Sequence, residues 1–196
     1  MRKMKSKFST SRLVLNGLTW ENYIINKYSK GYVSMKKVII SDCDGILTDG
    51  NMTYDENRKR FKTYGCHDKE LYKIAKALGW DFRFVSDDRT GYNITDRRVS
   101  NFTDCHVDIL NAEQRKDLVE EYKEKGYLVV FLGDSPSDLN AASAAHICAT
   151  TKNCFPAIKG FFHYVSEYEG GHGGFADILY NLILIDENAL TKIYKI

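Results

Sequence analysis

The sequence predicts an α/β protein, a three-layer Rossmann-like sandwich built around a central parallel sheet. From Lys36 onward, short apolar runs alternate with segments of helical periodicity, which is typical of a parallel sheet flanked by helices. A chain of 196 residues with 43% hydrophobic content is long enough for one sizeable core and short for two. We therefore expect one domain over residues 36–196, preceded by an appendage, residues 1–35, that is partly helical or disordered.

The predicted elements follow from these runs in chain order. Within the appendage, residues 18–28 have the spacing of an amphipathic helix. Five apolar runs have the length of buried strands, at residues 37–41, 82–86, 106–109, 127–132 and 146–149. Apolar residues at helical spacing predict helices between them, over residues 68–78, 112–125 and 137–145. This order supplies a sheet and two covering layers.

Residues 51–64 interrupt the alternation. Two short stretches that alternate in side-chain character, residues 52–54 and 61–63, flank the turn-prone segment Asp55-Glu56-Asn57. The sequence therefore predicts a small β-hairpin inserted after the first strand.

Composition excludes several classes of protein. The 28 basic and 26 acidic residues give a net charge of +2, which offers no electrostatic basis for a dedicated nucleic-acid binder. No segment approaches the ~20 apolar residues that span a bilayer, so we expect no membrane insertion. Five cysteines occur without CxxC pairs and without a secretory leader, which predicts a cytoplasmic protein with free thiols.

The first predicted strand ends in Asp42-Cys43-Asp44-Gly45. Ligands of open α/β sheets bind at the carboxyl ends of strands, and two carboxylates spaced i, i+2 there can act on one ligand. With an ordinary Asp pKa of ~3.9, Asp42 is ionised at neutral pH and available as a nucleophile, whereas Asp44 must hold a proton when a leaving oxygen departs. An isolated match of this kind can also be a plain polar turn.

A second strand-to-loop junction, at Gly133-Asp134, repeats this arrangement. Asp134 ends the predicted strand, and Asp138 lies on the first turn of a helix that Pro136 can open. Asp138 alone could be a helix N-cap. Carboxylates gathered at the ends of two strands repel one another unless a hard divalent cation neutralises them, so the combination predicts a magnesium site.

These two junctions resemble motifs of the haloacid dehalogenase superfamily, whose four motifs can be followed over residues 36–138. The resemblance implies that Asp42 is the nucleophile and Asp44 the general acid/base. It also implies that Asp134 and Asp138 bind Mg²⁺ together with Asp42 and the main-chain carbonyl of Asp44.

The two remaining motifs supply contacts to the phosphoryl group. The resemblance implies that Ser86, which ends the next strand, hydrogen-bonds this group. Family members usually have a lysine at the third motif, followed three and four positions later by apolar residues. In this chain Leu118 and Val119 are those apolar residues, so the motif position falls on Arg115 rather than on Lys116. Either cation could offset the charge of the phosphoryl group. The implied reaction is in-line attack on phosphorus, an aspartyl-phosphate intermediate and its hydrolysis.

Within the superfamily, residues 44–50 and the hairpin are similar to the capless phosphatases that act on 3-deoxy-octulosonate 8-phosphate, and residues 166–175 resemble their Gly-Gly-x-Gly tail. This resemblance covers about residues 36–184. It implies that a large cap domain is absent, that the substrate is a sugar or sugar-acid phosphate, and that the hairpin and tail of neighbouring subunits close the site in a homotetramer. The implied substrate-facing residues are Gly45, His67, Lys69, Asp87, Arg89, Gly171, His172 and Gly173. The glycine cluster could instead be a flexible connector before the last helix.

The chain departs from this subgroup at two places. Its Arg-Asp-Gly is replaced by His67-Asp68-Lys69, and its Thr-Gly-Arg by Ser86-Asp87-Asp88-Arg89. These changes indicate a different phosphorylated compound with unchanged phosphoryl chemistry, and a sugar acid, another sugar phosphate or a nucleotide all fit.

Two other functions are compatible with this fold. A nucleotide or nucleic-acid end phosphatase would use the same chemistry. A non-catalytic binding module that kept the fold should have lost Asp42 or Asp44, and both are present. A zinc site is disfavoured because the spacing of the cysteines and histidines matches no zinc pattern.

Overall fold

The computed structural model describes residues 35–184. The predicted helix at residues 18–28 therefore lies outside the described residues, as does nearly all of the predicted appendage. The strands are β1 Lys37–Asp42, β2 Thr53–Tyr54, β3 Lys59–Phe61, β4 Trp80–Ser86, β5 Val107–Ile109, β6 Leu128–Leu132, β7 Ile147–Thr150 and β8 Tyr164–Val165. The helices are α1 Asp68–Ala77, α2 Tyr92–Phe102, α3 Ala112–Glu124, α4 Leu139–Ala144 and α5 Gly174–Leu184, with 3₁₀ turns at Pro136–Asp138 and Pro156–Phe161.

Six strands form one sheet in the order β5-β4-β1-β6-β7-β8, and each neighbouring pair is parallel. Strand β1 is central because Val38, Ile39 and Ile40 are fully buried, as expected for a strand covered on both faces. Successive side chains alternate between the faces: Ile39 packs into one core, and its two neighbours pack into the other.

Helices cover both faces of the sheet, which confirms the predicted three-layer sandwich. Side chains of α1, α2 and α5 share the core of Ile39, including Tyr72, Val99 and Ile178. On the opposite face, α3 and α4 pack through Leu118 and Ala141, among other residues. All five predicted sheet strands are present within one or two residues of the predicted bounds.

The hairpin is also confirmed: β2 and β3 pair antiparallel as a separate two-stranded sheet. Residues 43–79, all of them described, contain this hairpin and α1 and no further domain. The predicted helix over residues 137–145 begins as a 3₁₀ turn and continues as the short α4. Helix α2 was not predicted from the sequence. Its buried residues are Thr95, Val99 and Phe102, and the rest of the segment is largely polar, so too few apolar residues mark it as a helix.

Within residues 35–184, none of the helices combines the length and the apolar character needed to cross a bilayer.

Because β1, β4 and β6 are parallel neighbours in register, their carboxyl ends lie together at one edge of the sheet.

Candidate active site

Asp42 is the last residue of β1 and lies at this shared edge. Asp42 pairs with Val85 of β4, so Ser86, the next residue of β4, lies beside it. On the other side of β1, β6 ends at Leu132 and leads directly into Gly133-Asp134. The Asp42 side chain is only 7% exposed. The parallel register therefore brings together carboxylates that the sequence separates by about ninety residues.

Three of the predicted metal ligands cluster here: oxygen atoms of Asp42, Asp134 and Asp138 lie within 4.8 Å of one another. Gly45 makes this approach feasible, because a Cβ at its position would lie 2.0 Å from Asp134 Oδ2. Gly45 also has φ +86°, a conformation that L side chains rarely adopt. A glycine is thus required where the loop after β1 meets the loop after β6.

The cluster concentrates negative charge in a buried place. Burial raises the pKa of Asp42 well above its ordinary value, and the neighbouring Asp138 raises it further, against the opposing effect of Arg115. Burial also raises the pKa of Asp134 to about 7, with Asp138 and Asp44 contributing. Oxygen donors that repel one another in this way fit a hard divalent cation such as Mg²⁺.

Arg115 ties two of these carboxylates together. Its guanidinium Nη2 is 3.2 Å from Asp42 Oδ1, its Nη1 is 2.5 Å from Asp138 Oδ1, and its Nε donates to the Leu110 carbonyl at 3.1 Å. A capping box between Asn111 and Gln114 starts α3 immediately before it and fixes this first turn. The planar fork of arginine suits such a double contact.

Lys116, the other candidate for the third motif, lies outside the cluster. Its side chain is 44% exposed, and its Nζ is 4.0 Å from Glu113 on the same helix. The structure therefore places Arg115, and not Lys116, beside the predicted nucleophile.

Asp138 is fully buried and is held by several donors. Besides Arg115, its Oδ2 accepts hydrogen bonds from the Asp134 and Ser135 main-chain N–H groups, each at 3.1 Å, and from Ser135 Oγ at 2.9 Å. A carboxylate offers about four acceptor sites, and these contacts use most of them. In this arrangement Asp138 shapes the loop that presents Asp134 and contributes its charge to the cluster.

Asp44, the predicted general acid/base, lies beside this cluster and is held by Lys62. The Lys62 Nζ is 2.8 Å from Asp44 Oδ1 and 2.9 Å from Oδ2. Weaker contacts come from Thr48 Oγ1 at 3.3 Å and Ser86 Oγ at 3.5 Å. Ser86 is thus brought to the site as predicted, whereas the role of Lys62 was missed, although Lys62 lies within a predicted hairpin strand and directly follows β3.

The loop after β4 contributes a second unpredicted residue, Asp88. It forms ion pairs with Lys59 and with Lys62, the latter at 2.8 Å. Burial would raise the pKa of Asp88, but hydrogen bonds from these two lysines lower it below its ordinary value. The neighbouring Asp87 and Arg89 are exposed at the same edge of the sheet.

His67 and Lys69, at the start of α1, are also exposed and show no contact with the carboxylate cluster. Helix α1 begins at the carboxyl edge of the sheet because it connects β1 to the opposite end of β4. A substrate-facing role for these two residues therefore stays a prediction.

The glycine cluster packs against the loop after β1 of the same chain. A Cβ at Gly170 would lie 2.2 Å from the Gly45 carbonyl oxygen, and one at Gly171 would lie 2.6 Å from the Asp49 N. His172 is exposed, with Nε2 3.9 Å from Asp49 Oδ2, and Gly173 at φ +102° has open space around it. This close packing favours a structural role for the first two glycines within one subunit.

Two residues after β7, both missed from the sequence, complete these contacts. Thr151 Oγ1 donates to the Gly45 carbonyl at 2.7 Å. Asn153 donates to the Asp49 carbonyl at 3.1 Å and accepts from the Gly170 N–H at 2.9 Å. They fix the conformation of the loop that carries Asp44.

Comparison with known proteins agrees with this architecture. No protein-family model matches the chain. The 3-deoxy-D-manno-octulosonate 8-phosphate phosphatase of Haemophilus influenzae is 23% identical over 145 residues, which cover 72% of this chain and 79% of that protein.

Solved structures show the same fold. The 3-deoxy-D-manno-octulosonate 8-phosphate phosphatase of Moraxella catarrhalis, in complex with magnesium ion, phosphate ion and KDO, aligns with a TM-score of 0.74 and 22% identity over 89% of this chain and 98% of that one. A hypothetical protein from Xanthomonas campestris aligns with a TM-score of 0.73 and 20% identity over 92% and 96% of the two chains. The predicted resemblance to these capless phosphatases is confirmed.

Proposed function

We propose that this chain is a magnesium-dependent phosphomonoesterase that forms an aspartyl-phosphate on Asp42. The observation that carries the proposal is the buried cluster of Asp42, Asp134 and Asp138, with Arg115 joined to the first and third of these residues. A nucleophile, a cation site and a fixed guanidinium then converge at the carboxyl edge of one sheet. Relatives with phosphatase activity share the fold.

Asp42 is positioned for the attack on phosphorus. Its carboxylate has few conformations available, because it is buried and one oxygen contacts Arg115. Asp42, Asp134, Asp138 and the main-chain carbonyl of Asp44 would hold Mg²⁺, and the ion would supply positive charge that offsets the phosphoryl oxygens. Arg115 adds a second positive charge on the same side, and Ser86 supplies a hydroxyl donor.

Asp44 serves both chemical steps. In the first, an oxygen of Asp42 forms a bond to phosphorus while the bond to the leaving oxygen breaks, and Asp44 gives that oxygen its proton. In the second, Asp44 takes a proton from the water that hydrolyses the acyl phosphate, which restores Asp42. Its position two residues after the nucleophile, on a loop fixed by Thr151, suits this role.

For the substrate we propose a small sugar phosphate or sugar-acid phosphate. Two of the proteins compared above, those of Haemophilus influenzae and Moraxella catarrhalis, are named as phosphatases of a sugar-acid phosphate, and residues 43–79 of this chain contain no large cap domain that would enclose a specific ligand. The exposed side chains of Lys69 and Arg89 contribute positive charge suited to an acidic metabolite, and the exposed His67 adds a polar side chain beside Lys69.

Replacing Asp42 by Asn tests the proposed reaction. The variant keeps the size of the side chain and removes the nucleophile, so magnesium-dependent hydrolysis of p-nitrophenyl phosphate should fall to background. Unchanged hydrolysis would refute the mechanism. A panel of sugar, sugar-acid and nucleotide monophosphates tests the substrate, and a marked preference for a nucleotide would overturn the sugar assignment.

We also propose a homotetramer in the cytosol. The hairpin exposes Tyr54 and Phe61, at 58% and 70%, which is unusual for aromatic residues without a partner surface. None of the five cysteines, all within the described residues, forms a disulfide, as expected in a reducing compartment. Light scattering that gave a monomer mass would contradict the tetramer, and cell fractionation would test the location.

A further inference from the structure

Lys62 is a lysine with an unusually complete set of partners. Its side chain is 0% exposed. Its ammonium contacts both oxygens of Asp44 at 2.8 and 2.9 Å, Thr95 Oγ1 at 2.7 Å and Asp88 Oδ2 at 2.8 Å. These acceptors come from the loop after β1, from α2 and from the loop after β4.

These contacts leave Lys62 no role as a direct substrate ligand. An ammonium group has three N–H donors, and here three side chains accept them. Because the side chain is also shielded from solvent, a phosphate ester entering the site from water would meet Asp44 before it met Lys62. Any effect of Lys62 on the reaction therefore passes through Asp44.

Among the side-chain contacts of Asp44, those with Lys62 are the shortest. The contacts with Thr48 and Ser86 are 3.3 and 3.5 Å long and involve neutral hydroxyls. Charge-assisted hydrogen bonds of about 2.8 Å are roughly twice as strong as neutral ones. Since Lys62 touches both carboxylate oxygens, it restrains the rotation of the carboxylate plane as well as its position.

From this geometry we infer that Lys62 is the positioning residue of the general acid, an inference that rests on the proposed phosphatase function. The hairpin carries Lys62 into the site, Asp88 and Thr95 hold its ammonium in place, and the ammonium orients Asp44 toward the leaving oxygen. When the bond between phosphorus and that oxygen breaks, the proton moves from Asp44 to the leaving group. Lys62 neither gives nor accepts a proton in this step.

Two substrates of similar shape test the inference. Phenyl phosphate has a basic leaving group that needs a proton as it departs, whereas p-nitrophenolate leaves as a stabilised anion. General acid catalysis contributes about 10²–10⁴-fold where it is needed. We expect Lys62→Met to lower kcat for phenyl phosphate at least about tenfold more than kcat for p-nitrophenyl phosphate, with a similar KM for each.

Lys59→Met is the matched control. Lys59 also lies on the hairpin, its side chain is 1% exposed, and it forms an ion pair with the same Asp88. No contact joins it to Asp44 within the described residues. Lys59→Met should therefore weaken hairpin packing as much as Lys62→Met does, and should leave the ratio of the two kcat values as in the wild type.

A double variant shows whether the effect passes through Asp44. Asp44→Asn should lower kcat for phenyl phosphate relative to kcat for p-nitrophenyl phosphate, as Lys62→Met does. Adding Lys62→Met to Asp44→Asn should lower this ratio of kcat values no further. If Lys62→Met does not fold, Lys62→Gln is used instead, because it removes the charge but keeps a hydrogen-bond donor. It should change the ratio of the two kcat values in the same direction, by a smaller factor.

The outcomes separate this inference from the proposed function. A wild-type chain that hydrolyses neither ester with magnesium would overturn the phosphatase proposal itself. An active wild type in which the Lys62 variant loses both activities equally, or in which Lys59→Met shifts the ratio as strongly, would overturn the positioning role alone.

Discussion

Replacing Asp68 by Asn is expected to stabilise the fold at alkaline pH more than in acid. Asp68 is the first residue of α1, is 1% exposed, and has one carboxylate oxygen without a hydrogen-bond partner within residues 35–184. Burial raises the pKa of Asp68 from 3.8 to about 7, although Arg98 acts in the opposite direction. The helix N-terminus also favours the carboxylate, but by only about 0.3–1 kcal/mol.

The sign of the pH dependence follows from the raised pKa. Between pH 3.8 and about 7 the folded chain keeps a proton on Asp68 that the unfolded chain has lost, so the free energy of unfolding falls as pH rises through this window. Below the window the penalty vanishes, and above it the penalty is complete. At 1.36 kcal/mol per pKa unit, a rise from 3.8 to about 7 makes the full penalty about 4 kcal/mol.

Urea unfolding of the wild type and Asp68→Asn measures this penalty directly. An uncharged Asn removes the penalty at every pH, so the free-energy difference between the two proteins should grow by about 3 kcal/mol from about pH 5 to about pH 8. Titration of groups that do not interact with Asp68 cancels in the comparison. Asp117→Asn, which removes an exposed carboxylate on α3, is the control. A difference that stayed constant over this range would refute the reasoning.

Two further predictions concern the site. Magnesium should raise the melting temperature of the wild type more than that of Asp134→Asn, because the cation neutralises carboxylates held within 4.8 Å of one another. Scanning fluorimetry with magnesium and with EDTA measures the two shifts, and equal shifts would contradict the prediction. Gly170→Ala should cost at least about 1–3 kcal/mol of stability, because its Cβ would lie 2.2 Å from a carbonyl oxygen; Gly160→Ala, with no atom within 4 Å, should be neutral in the same thermal assay.

The sheet and the phosphoryl end of the site could be predicted because their signals are local. A run such as Val38-Ile39-Ile40 is apolar enough to be a buried strand wherever it lies, and parallel topology then gathers the residues that follow each strand. Asp42 and Asp134 were found in this way. The choice of Arg115 over Lys116 also follows from local helical spacing, because Leu118 and Val119 face the core from the same side of α3.

The residues that support the site could not be predicted, because their partners are distant in the sequence. Thr151 contacts Gly45 across 106 positions, and Lys62 contacts Thr95 across 33. Neither residue has a distinctive neighbourhood: a threonine after a strand and a lysine after a hairpin are common on protein surfaces. Their burial depends on how α2 and the hairpin pack, and α2 itself has too few apolar residues to be recognised.

The same contrast explains why the leaving group is harder to identify than the reaction. The phosphoryl group would meet residues at the ends of β1, β4 and β6, whose positions are fixed by the sheet. The leaving group would meet the hairpin and the loop after β4, where Asp88 neutralises Lys59 and Lys62 while Arg89 stays exposed. Both of these lysines already have carboxylate partners and buried side chains, whereas the exposed Arg89 is accessible to a ligand. The chain therefore presents to its substrate a charge pattern set by long-range ion pairs, which a local motif does not record.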